Sequence, residues 1–539
     1  MLMHAREGVL LLGFCVLFST VVQASRSSNE KCTKVYLNPR NPDNFVCVCN
    51  STLCHELPNF DPWSLRKQLI MFTTSKEGRR FEKSIWSLVS KKADDLRTQM
   101  GDVVDTELTI RRIRSESNQV RIKGFGGALT DSAAINLNAL DEEVRLMLIN
   151  AYFTNSGSEY SIVRFPIASC DFSTSEYSYA DEEGDVRLKC FKLHEEDAWK
   201  INILKTIKKF RQKKGGMTGA LYLFGSPWSA PGWMKSNGHM RGGGTLLDKY
   251  QRVYAAYIKR FIEAYSEARI DIQSVTVQNE PSTGRDPDYP YQTMYFSAKH
   301  QQDFVKNHLG PAFKEKDIEL MIFDDLRYNI SSFVDTVLAD SEAAFYVDGI
   351  AVHWYADDDV DPAVLSEVHK NHPDKFILGS EACNTDQYKH VDYGSWERGD
   401  MYARDIIQDL RHNVSGWVDW NRALNMEGRP NWVQNFVDSP VLVNSGKQEF
   451  YLQPMYYVLA HFNKYVKKGM VMDEAKLQTR SDLEVISFRS VTEGKKTIVI
   501  RNPGSRDMEV KIMDPDCNGE TVIVPIDAYS LNTLMYKCA

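Results

Sequence analysis

Two glutamates stand at the tips of apolar runs in this 539-residue chain. In Ser274-Val-Thr-Val-Gln-Asn-Glu-Pro281 a β-branched run delivers Glu280 and Pro281 stops it, while Phe376-Ile-Leu-Gly-Ser-Glu-Ala382 delivers Glu381 in the same way. Their separation, 381 − 280 = 101 residues, is about three strand-helix units of roughly 31 to 35 residues, which sets the two carboxyls on opposed strands of one barrel. Glycoside hydrolysis needs such a pair. One carboxylic acid protonates the departing oxygen and the other carboxylate attacks the anomeric carbon, with retention at a separation of about 5 to 5.5 Å and inversion when it is wider. Trp228, Tyr289, Tyr355 and Trp420 offer flat apolar faces to a sugar, and Asp171, Asp419 and Asn435 offer acceptors to its hydroxyls. Any one of these side chains also reads as rim packing or a solvated loop residue.

The elements that must position them alternate. Eight short apolar runs, at 120–125, 160–165, 220–224, 274–277, 318–323, 349–353, 376–378 and 417–421, are separated by amphipathic stretches such as 141–152, 195–210, 246–268, 294–309 and 401–412. Eight strand-helix units over about 300 residues predict a (β/α)8 TIM barrel. Functional residues of a barrel follow the C-terminal strand ends, and here those ends carry Asp131, Arg164 with Asp171, Trp228, Asn279 with Glu280, Asp324 with Asp325, His353 with Tyr355, Glu381, and Asp419 with Trp420. The flanks alternate with period two, as in Leu483-Glu-Val-Ile-Ser-Phe-Arg489 and Lys496-Thr-Ile-Val-Ile-Arg501. They predict one β-sandwich built from both chain ends, and a small N-terminal antiparallel sheet module. The expected division is a signal peptide over 1–24, the sheet module over 25–60 with 422–455, the sandwich over 61–118 with 469–539, and the barrel over 119–421 with 456–468.

A net charge of −7 and scattered basic residues give no footprint for nucleic acid. The apolar run from Val9 to Val22 and the small-residue pattern ending at Ala24 predict a secretory signal peptide, because about 14 apolar residues are too few to span a bilayer. An oxidising compartment then makes disulfides the default reading of the cysteines. Four cluster at Cys32, Cys47, Cys49 and Cys54, where Cys32 with Cys47 and Cys49 with Cys54 is the first of three possible pairings. Cys517 and Cys538 could close a C-terminal loop, and an odd count leaves a free thiol, with Cys170 and Cys383 the leading candidates. Asn50, Asn329 and Asn413 open glycosylation triplets. Gly124-Phe-Gly-Gly-Ala-Leu129 departs from a dinucleotide-binding fingerprint, and His194-Glu195-Glu196-Asp197 lacks the second histidine of a zinc hydrolase.

The segments Lys123-Gly-Phe-Gly-Gly-Ala-Leu-Thr-Asp131, Ser226-Pro-Trp-Ser-Ala-Pro-Gly-Trp233, Val277-Gln-Asn-Glu-Pro281, Val352-His-Trp-Tyr355, Ser380-Glu-Ala-Cys383, Trp417-Val-Asp-Trp-Asn421 and Asn431-Trp-Val-Gln-Asn-Phe-Val-Asp-Ser-Pro440 resemble, in order, the lysosomal glucosylceramidases of glycoside hydrolase family 30. The resemblance implies a retaining β-glucosidase acting on glucosylceramide and related β-glucosides, without metal or organic cofactor. It implies Glu280 as acid/base, Glu381 as nucleophile, and Asn279 on the sugar 2-hydroxyl. Asp171, Trp228, Trp420 and Asn435 match glucose contacts, Tyr289 the aglycone rim, and Arg164, His353 and Tyr355 groups that position the carboxylates. It further implies a lysosomal address, with secretion as the alternative, a membrane surface with anionic lipids, and a saposin-type activator. Tyr291 stands where the family carries phenylalanine, and Cys190, Cys517 and Cys538 have no family counterpart. The rival readings are another sugar specificity of the family, β-xylosidase or β-1,6-glucanase, and a non-catalytic glycolipid-binding protein.

Overall fold

The computed structural model describes residues 31–90, 104–113, 119–212, 221–314, 316–384, 390–479, 481–517 and 519–538. The expected signal peptide lies outside the described residues. Strands β1 (Gly124–Ala128), β2 (Ile162–Ile167), β3 (Tyr222–Pro227), β4 (Ser274–Thr276), β5 (Glu319–Leu326), β6 (Gly349–His353), β7 (Phe376–Glu381) and β8 (Val414–Asn421) form a closed barrel. Every neighbouring pair is parallel, including β8 with β1, which closes the ring. Nearly all of these strand residues are buried, as expected when helices cover the outside and side chains fill the inside.

Several boundaries differ from the sequence reading for physical reasons. The first strand starts at Gly124 rather than Val120, because the preceding residues pair outward: Ile122 N–H donates to Met470 O at 2.9 Å and Arg121 bridges Val471. The glycines of β1 serve packing. A Cβ on Gly126 would lie 1.9 Å from the Ile162 carbonyl oxygen, so only glycine lets β2 approach. The stretch 246–268 begins helical only at Gln251, after a 3-10 turn over Asp248–Tyr250, and the stretch 294–309 begins at Ala298 and widens into a π turn over Val305–Leu309.

The chain ends build a nine-stranded sheet in the order 521–526, 508–513, 106–111, 471–477, 484–489, 495–502, 530–537, 68–75, 82–87. Strand Val471–Leu477 pairs through its first half with Glu484–Arg489 and through its second half with Thr106–Arg111. That split folds the sheet into two layers around Leu69, Met71, Leu108, Ile110, Ile498, Ile500, Val510, Val524 and Leu534. A five-stranded sheet joins Lys34–Val35 and Val46–Cys49 to Glu449–Leu452, Val441–Asn444 and Ala423–Asn425. Cys32–Cys47 and Cys49–Cys54 bridges staple it, and Cys517 is bonded to Cys538, which leaves Cys170, Cys190 and Cys383 as thiols among the described residues.

Helix Pro454–Tyr465 is buried along its whole length between barrel and sandwich. Its His461 bonds Thr74 and Thr533 of the sandwich at 2.8 Å each, and burial pushes the imidazole down to about 3, so it stays neutral. Among the described residues no helix is long and apolar enough to cross a membrane. The β1 contact gives the first test. Gly126→Ala should lower unfolding stability by roughly 2 kcal/mol or more through backbone displacement, whereas Gly446→Ala, where a Cβ meets nothing nearer than 3.6 Å, should leave it within about 0.5 kcal/mol. Equal midpoints for the two variants in denaturant unfolding would refute the packing role of Gly126.

Candidate active site

The C-terminal ends of the barrel strands converge on one guanidinium. Arg164, on β2 and fully buried, donates through Nε to Ser226 Oγ at 3.2 Å and through Nη1 to the Ser380 carbonyl at 3.1 Å and to Glu381 Oε2. Its Nη2 donates to Asn279 Oδ1 at 2.7 Å and to Asp324 Oδ2 at 3.1 Å. The rigid fork therefore fixes groups from β3, β5 and β7 and from the residues that follow β4 in one plane. Glu381 Oε1 accepts from Tyr355 OH at 2.9 Å. Burial pushes the Glu381 carboxyl up, and Arg164 and His353 oppose that rise.

Glu280 lies across the mouth, beyond the end of β4, with φ of 40°. Its backbone N–H donates to Asp324 O at 2.8 Å, which holds the left-handed turn in place. Glu280 Oε1 meets His353 Nδ1 at 3.1 Å, and His353 Nε2 meets Asp324 Oδ1 at 3.0 Å. Burial opposes protonation of His353, but Glu381, Asp324 and Glu280 outweigh it and lift the imidazole to about 10. It is a cation at neutral and acid pH and donates from both nitrogens. Glu280, His353 and Glu381 each turn a ligand atom into the same small space, and all three atoms lie within 4.8 Å of one another.

The remaining wall is apolar with polar tips. Trp228 and Trp420 stack at 5.0 Å and 20°, and they pack with Ala128, Cys170, Phe172, Cys383, Leu424 and Val437, with Tyr291 and Tyr355 at the edge. Asp171 accepts from Asn435 Nδ2 at 3.1 Å and Asn431 Nδ2 at 3.3 Å. Burial lifts its carboxyl to about 7, against the pull of those amides. Tyr289 reaches the cup through Tyr291, to whose hydroxyl it donates at 2.7 Å. The Cys383 thiol is buried 3.3 Å from Tyr355 OH.

Some strand-end residues do other work. Asp131 is turned away from the carboxyl pair and accepts from Lys200, Ser173 and Tyr177 at 2.8, 2.6 and 2.8 Å. Asp419 is fully buried and accepts from Tyr402 OH of helix Trp396–Arg411 at 2.6 Å. Asp324 is the residue whose importance the sequence understated. Besides Arg164 and His353 it accepts from Thr276 Oγ1 at 2.7 Å and Ser380 Oγ at 2.6 Å, and Arg164, His353 and the Ser380 hydroxyl hold it well below the usual carboxylate range against its burial. The only signal was the Asp324-Asp325 pair closing an apolar run.

A (β/α)8 barrel that holds two facing carboxyls in one mouth with stacked aromatic rings has the parts a glycoside hydrolase needs. Residues 122–466 match the glycosyl hydrolase family 30 TIM-barrel domain, and the chain belongs to that family. A Caenorhabditis elegans protein carrying the glucosylceramidase name is 40% identical over 513 residues, covering 93% of this chain and 95% of its own. The lysosomal acid glucosylceramidase of Mus musculus is 37% identical over 505 residues, covering 91% of this chain and 93% of its own. Among solved structures, SrfJ from Salmonella typhimurium superimposes with a TM-score of 0.76 at 22% identity, covering 87% of this chain and 99% of that one.

Asp171 supplies a pH test. Its carboxyl is raised from 3.8 to about 7 in the folded chain, so folding favours its protonated form. That contribution is complete below the unfolded value and is lost as pH rises through about 7. Relative to Asp171→Asn, the ligand-free wild type should therefore lose stability between about pH 4 and pH 7.5, by an amount of the order of 1 to 4 kcal/mol. Thermal unfolding of both proteins across that range reads the difference. A difference that stays constant with pH would rule out the rise of the Asp171 carboxyl on folding.

Proposed function

We propose that the chain is a retaining β-glucosidase that hydrolyses glucosylceramide to glucose and ceramide, with Glu381 as nucleophile and Glu280 as acid/base. The observation that carries the reading is the closeness of the two carboxyls, whose facing oxygens lie within 4.8 Å, on the retaining side of the two known geometries. The asymmetry of their surroundings supports the roles. Each oxygen of Glu381 accepts from a donor, Tyr355 or Arg164, which stabilises the ionised form an attacking group needs. Among the described residues the Glu280 carboxyl has one hydrogen-bond partner, His353, and the side chain is 12% exposed, open toward the mouth where a leaving group would depart.

In the first step a Glu381 oxygen attacks the anomeric carbon, the bond to the aglycone oxygen breaks, and that oxygen takes the proton of Glu280. In the second, Glu280 takes a proton from water, the water oxygen attacks the same carbon, and the ester bond to Glu381 breaks to release glucose. Arg164 fixes Asn279 Oδ1 as an acceptor, so the amide nitrogen remains to donate to the sugar, in the role assigned to the 2-hydroxyl. The stacked Trp228 and Trp420 and the Asp171 carboxyl form the glucose site, with Asn435 on its border and Tyr289 and Tyr291 on the aglycone side.

The similarity to enzymes named for glucosylceramide supports the lipid substrate, and the mouse relative's name supports a lysosomal address. Such a substrate brings the enzyme to a membrane surface with anionic lipids, where an activator of the saposin type would act. Purified protein should cleave both glucosylceramide in detergent micelles and a fluorogenic β-glucoside; activity on a β-xyloside or a β-1,6-glucan alone would replace this substrate assignment, and inactivity on all four would leave a glycolipid-binding protein.

The roles are tested by labelling and rescue. A mechanism-based 2-deoxy-2-fluoro-glucoside should label wild type at Glu381 and leave Glu381→Gln unlabelled. Glu280→Gln should turn over glucosides with poor leaving groups at least ~100-fold more slowly, and azide should partly restore it with an activated aryl glucoside. Undiminished labelling of Glu381→Gln would sink the assignment.

A further inference from the structure

Around the two glutamates lie three further charged groups, all fully shielded from water: Arg164, His353 and Asp324. Burial shuts all three off from bulk counter-ions, so the charge of the group must balance internally. Arg164 and His353 supply two positive charges and Asp324 one negative. The balance is then closed by one, and only one, ionised glutamate.

The reading of Glu381 as nucleophile and Glu280 as acid/base turns this count into a statement about catalysis. Before attack Glu381 is ionised and Glu280 holds a proton. In the glycosyl-enzyme Glu381 is an uncharged ester and Glu280 is ionised. Both states carry one glutamate charge, so the five-residue group is neutral in each half-reaction. We infer that Asp324 and His353 are a charge-setting pair of positioning residues, which keeps the site neutral before and after the covalent step and thereby sets the pH limits of turnover. His353 is linked to Glu280 directly and to Glu381 by a relay: Nδ1 faces Glu280 and Nε2 faces Asp324, which in turn shares Arg164 with Glu381.

The neighbouring groups leave that count intact in acid. Asp325 faces Glu280 from the end of β5 and accepts from Ser282 N and Oγ at 2.8 and 3.0 Å, and burial together with Glu280 raises it to about 6. Asp171 is raised to about 7 by burial, with Glu381 and Glu280 adding to the rise. Tyr355 and Cys383 beside Glu381, and Tyr289 and Tyr291 on the rim, are pushed up by burial and remain uncharged. Ser226, Thr276 and Ser380 contribute hydroxyls only. Above about pH 6 to 7 the ionisation of Asp325 and Asp171 adds negative charge, so the balanced state belongs to the acidic range.

The test is the pH dependence of kcat/KM on an aryl β-glucoside, which reports ionisations of the free enzyme, for Asp324→Asn, His353→Gln and the double variant. Asp324→Asn leaves one uncompensated positive charge, so the alkaline limb should move down by about one pH unit or more. His353→Gln leaves one uncompensated negative charge, so the acid limb should move up by a similar amount. The double variant should return both limbs to within about 0.3 unit of wild type while kcat stays reduced at least ~10-fold. Limbs that stay at the wild-type position in both single variants, or shifts of the same sign in Asp324→Asn and His353→Gln, overturn the inference, since a purely packing role lowers kcat without moving them. If Asp324→Asn does not fold, Asp324→Glu against His353→Gln carries the test: the first keeps the charge and should keep both limbs, the second should shift the acid limb. Labelling of wild type by the fluoro-glucoside separates the two failures. Label at Glu381 with unmoved limbs refutes the charge-setting pair alone, whereas label at another residue refutes the glutamate roles themselves.

Discussion

Burying ionised groups is the constraint that organises this molecule. An isolated charge in a protein interior costs several kcal/mol, and it persists only where partners and hydrogen bonds replace the lost water. At the barrel mouth Arg164 spends every arm of its fork on Ser226, Ser380, Glu381, Asn279 and Asp324, and Asp324 accepts from Arg164, His353, Thr276 and Ser380. These contacts run between strands that are distant in sequence. The arrangement exists only when β2 to β7 are in register, so the site depends on the pairing of these strands. The same logic explains why the hydroxyls of Ser226, Thr276 and Ser380 stand in otherwise apolar strands: each completes the shell of a buried charge.

The backbone carries strain where it aims these groups. Phe323 and Asp324 have φ of 75° and 55°, and the pairing of β5 with β6 shifts register between Phe323 and Asp325. Non-glycine residues in this region cost about 1 to 3 kcal/mol each and persist only when surrounding contacts over-determine them. Here the freed Phe323 N–H donates to the buried Gln301 Oε1 at 3.0 Å, and the Asp324 carbonyl receives the Glu280 N–H. The bulge in β5 and the turn at Glu280 thus support each other, and together they bring the Glu280 carboxyl over His353.

The glutamates were legible because each ends a short β-branched or apolar run, and period counting places such ends on one face of a barrel. The barrel itself was legible from eight alternations. What escaped was parity. Alternation sends Asp324 and Asp325 to opposite faces, and the bulge decides which of them turns inward, a matter of two backbone dihedrals that no side-chain pattern records. Helix Pro454–Tyr465 escaped for a different reason: it is buried on every side, His461, Asn463 and Lys464 included, so it does not show the split into an apolar and a polar face that announces a surface helix. Asp131 shows the opposite error. It follows the first strand as the rule for barrels asks, but Lys200 lies close enough to claim it, and the motif Thr130-Asp131 serves as the start of helix Asp131–Asn138.

The small disulfide-linked sheet bears on the site as directly as the barrel does. Between its strands Ala423–Asn425 and Val441–Asn444 the chain returns to the mouth, where Trp432 N–H donates to Asp171 O at 3.2 Å and Trp432 Nε1 to Cys170 O at 3.0 Å. Asn431 then organises the turn, its Oδ1 accepting from Val433 and Asn435 N–H and its Nδ2 donating to the Asn435 carbonyl. The loop is anchored at its far end by Asp438, which accepts from Arg398, from Gln453 and from the Asp392 N–H. Both amides that hold the Asp171 carboxyl therefore come from outside the barrel, on a segment whose two ends are pinned by sheet pairing. A loop of this length left free would sample many conformations and lose the hydrogen bonds that orient Asp171. The sheet and its two bridges limit that freedom, so the part of the site that grips the sugar derives its order from the module that looks, in sequence, least related to chemistry.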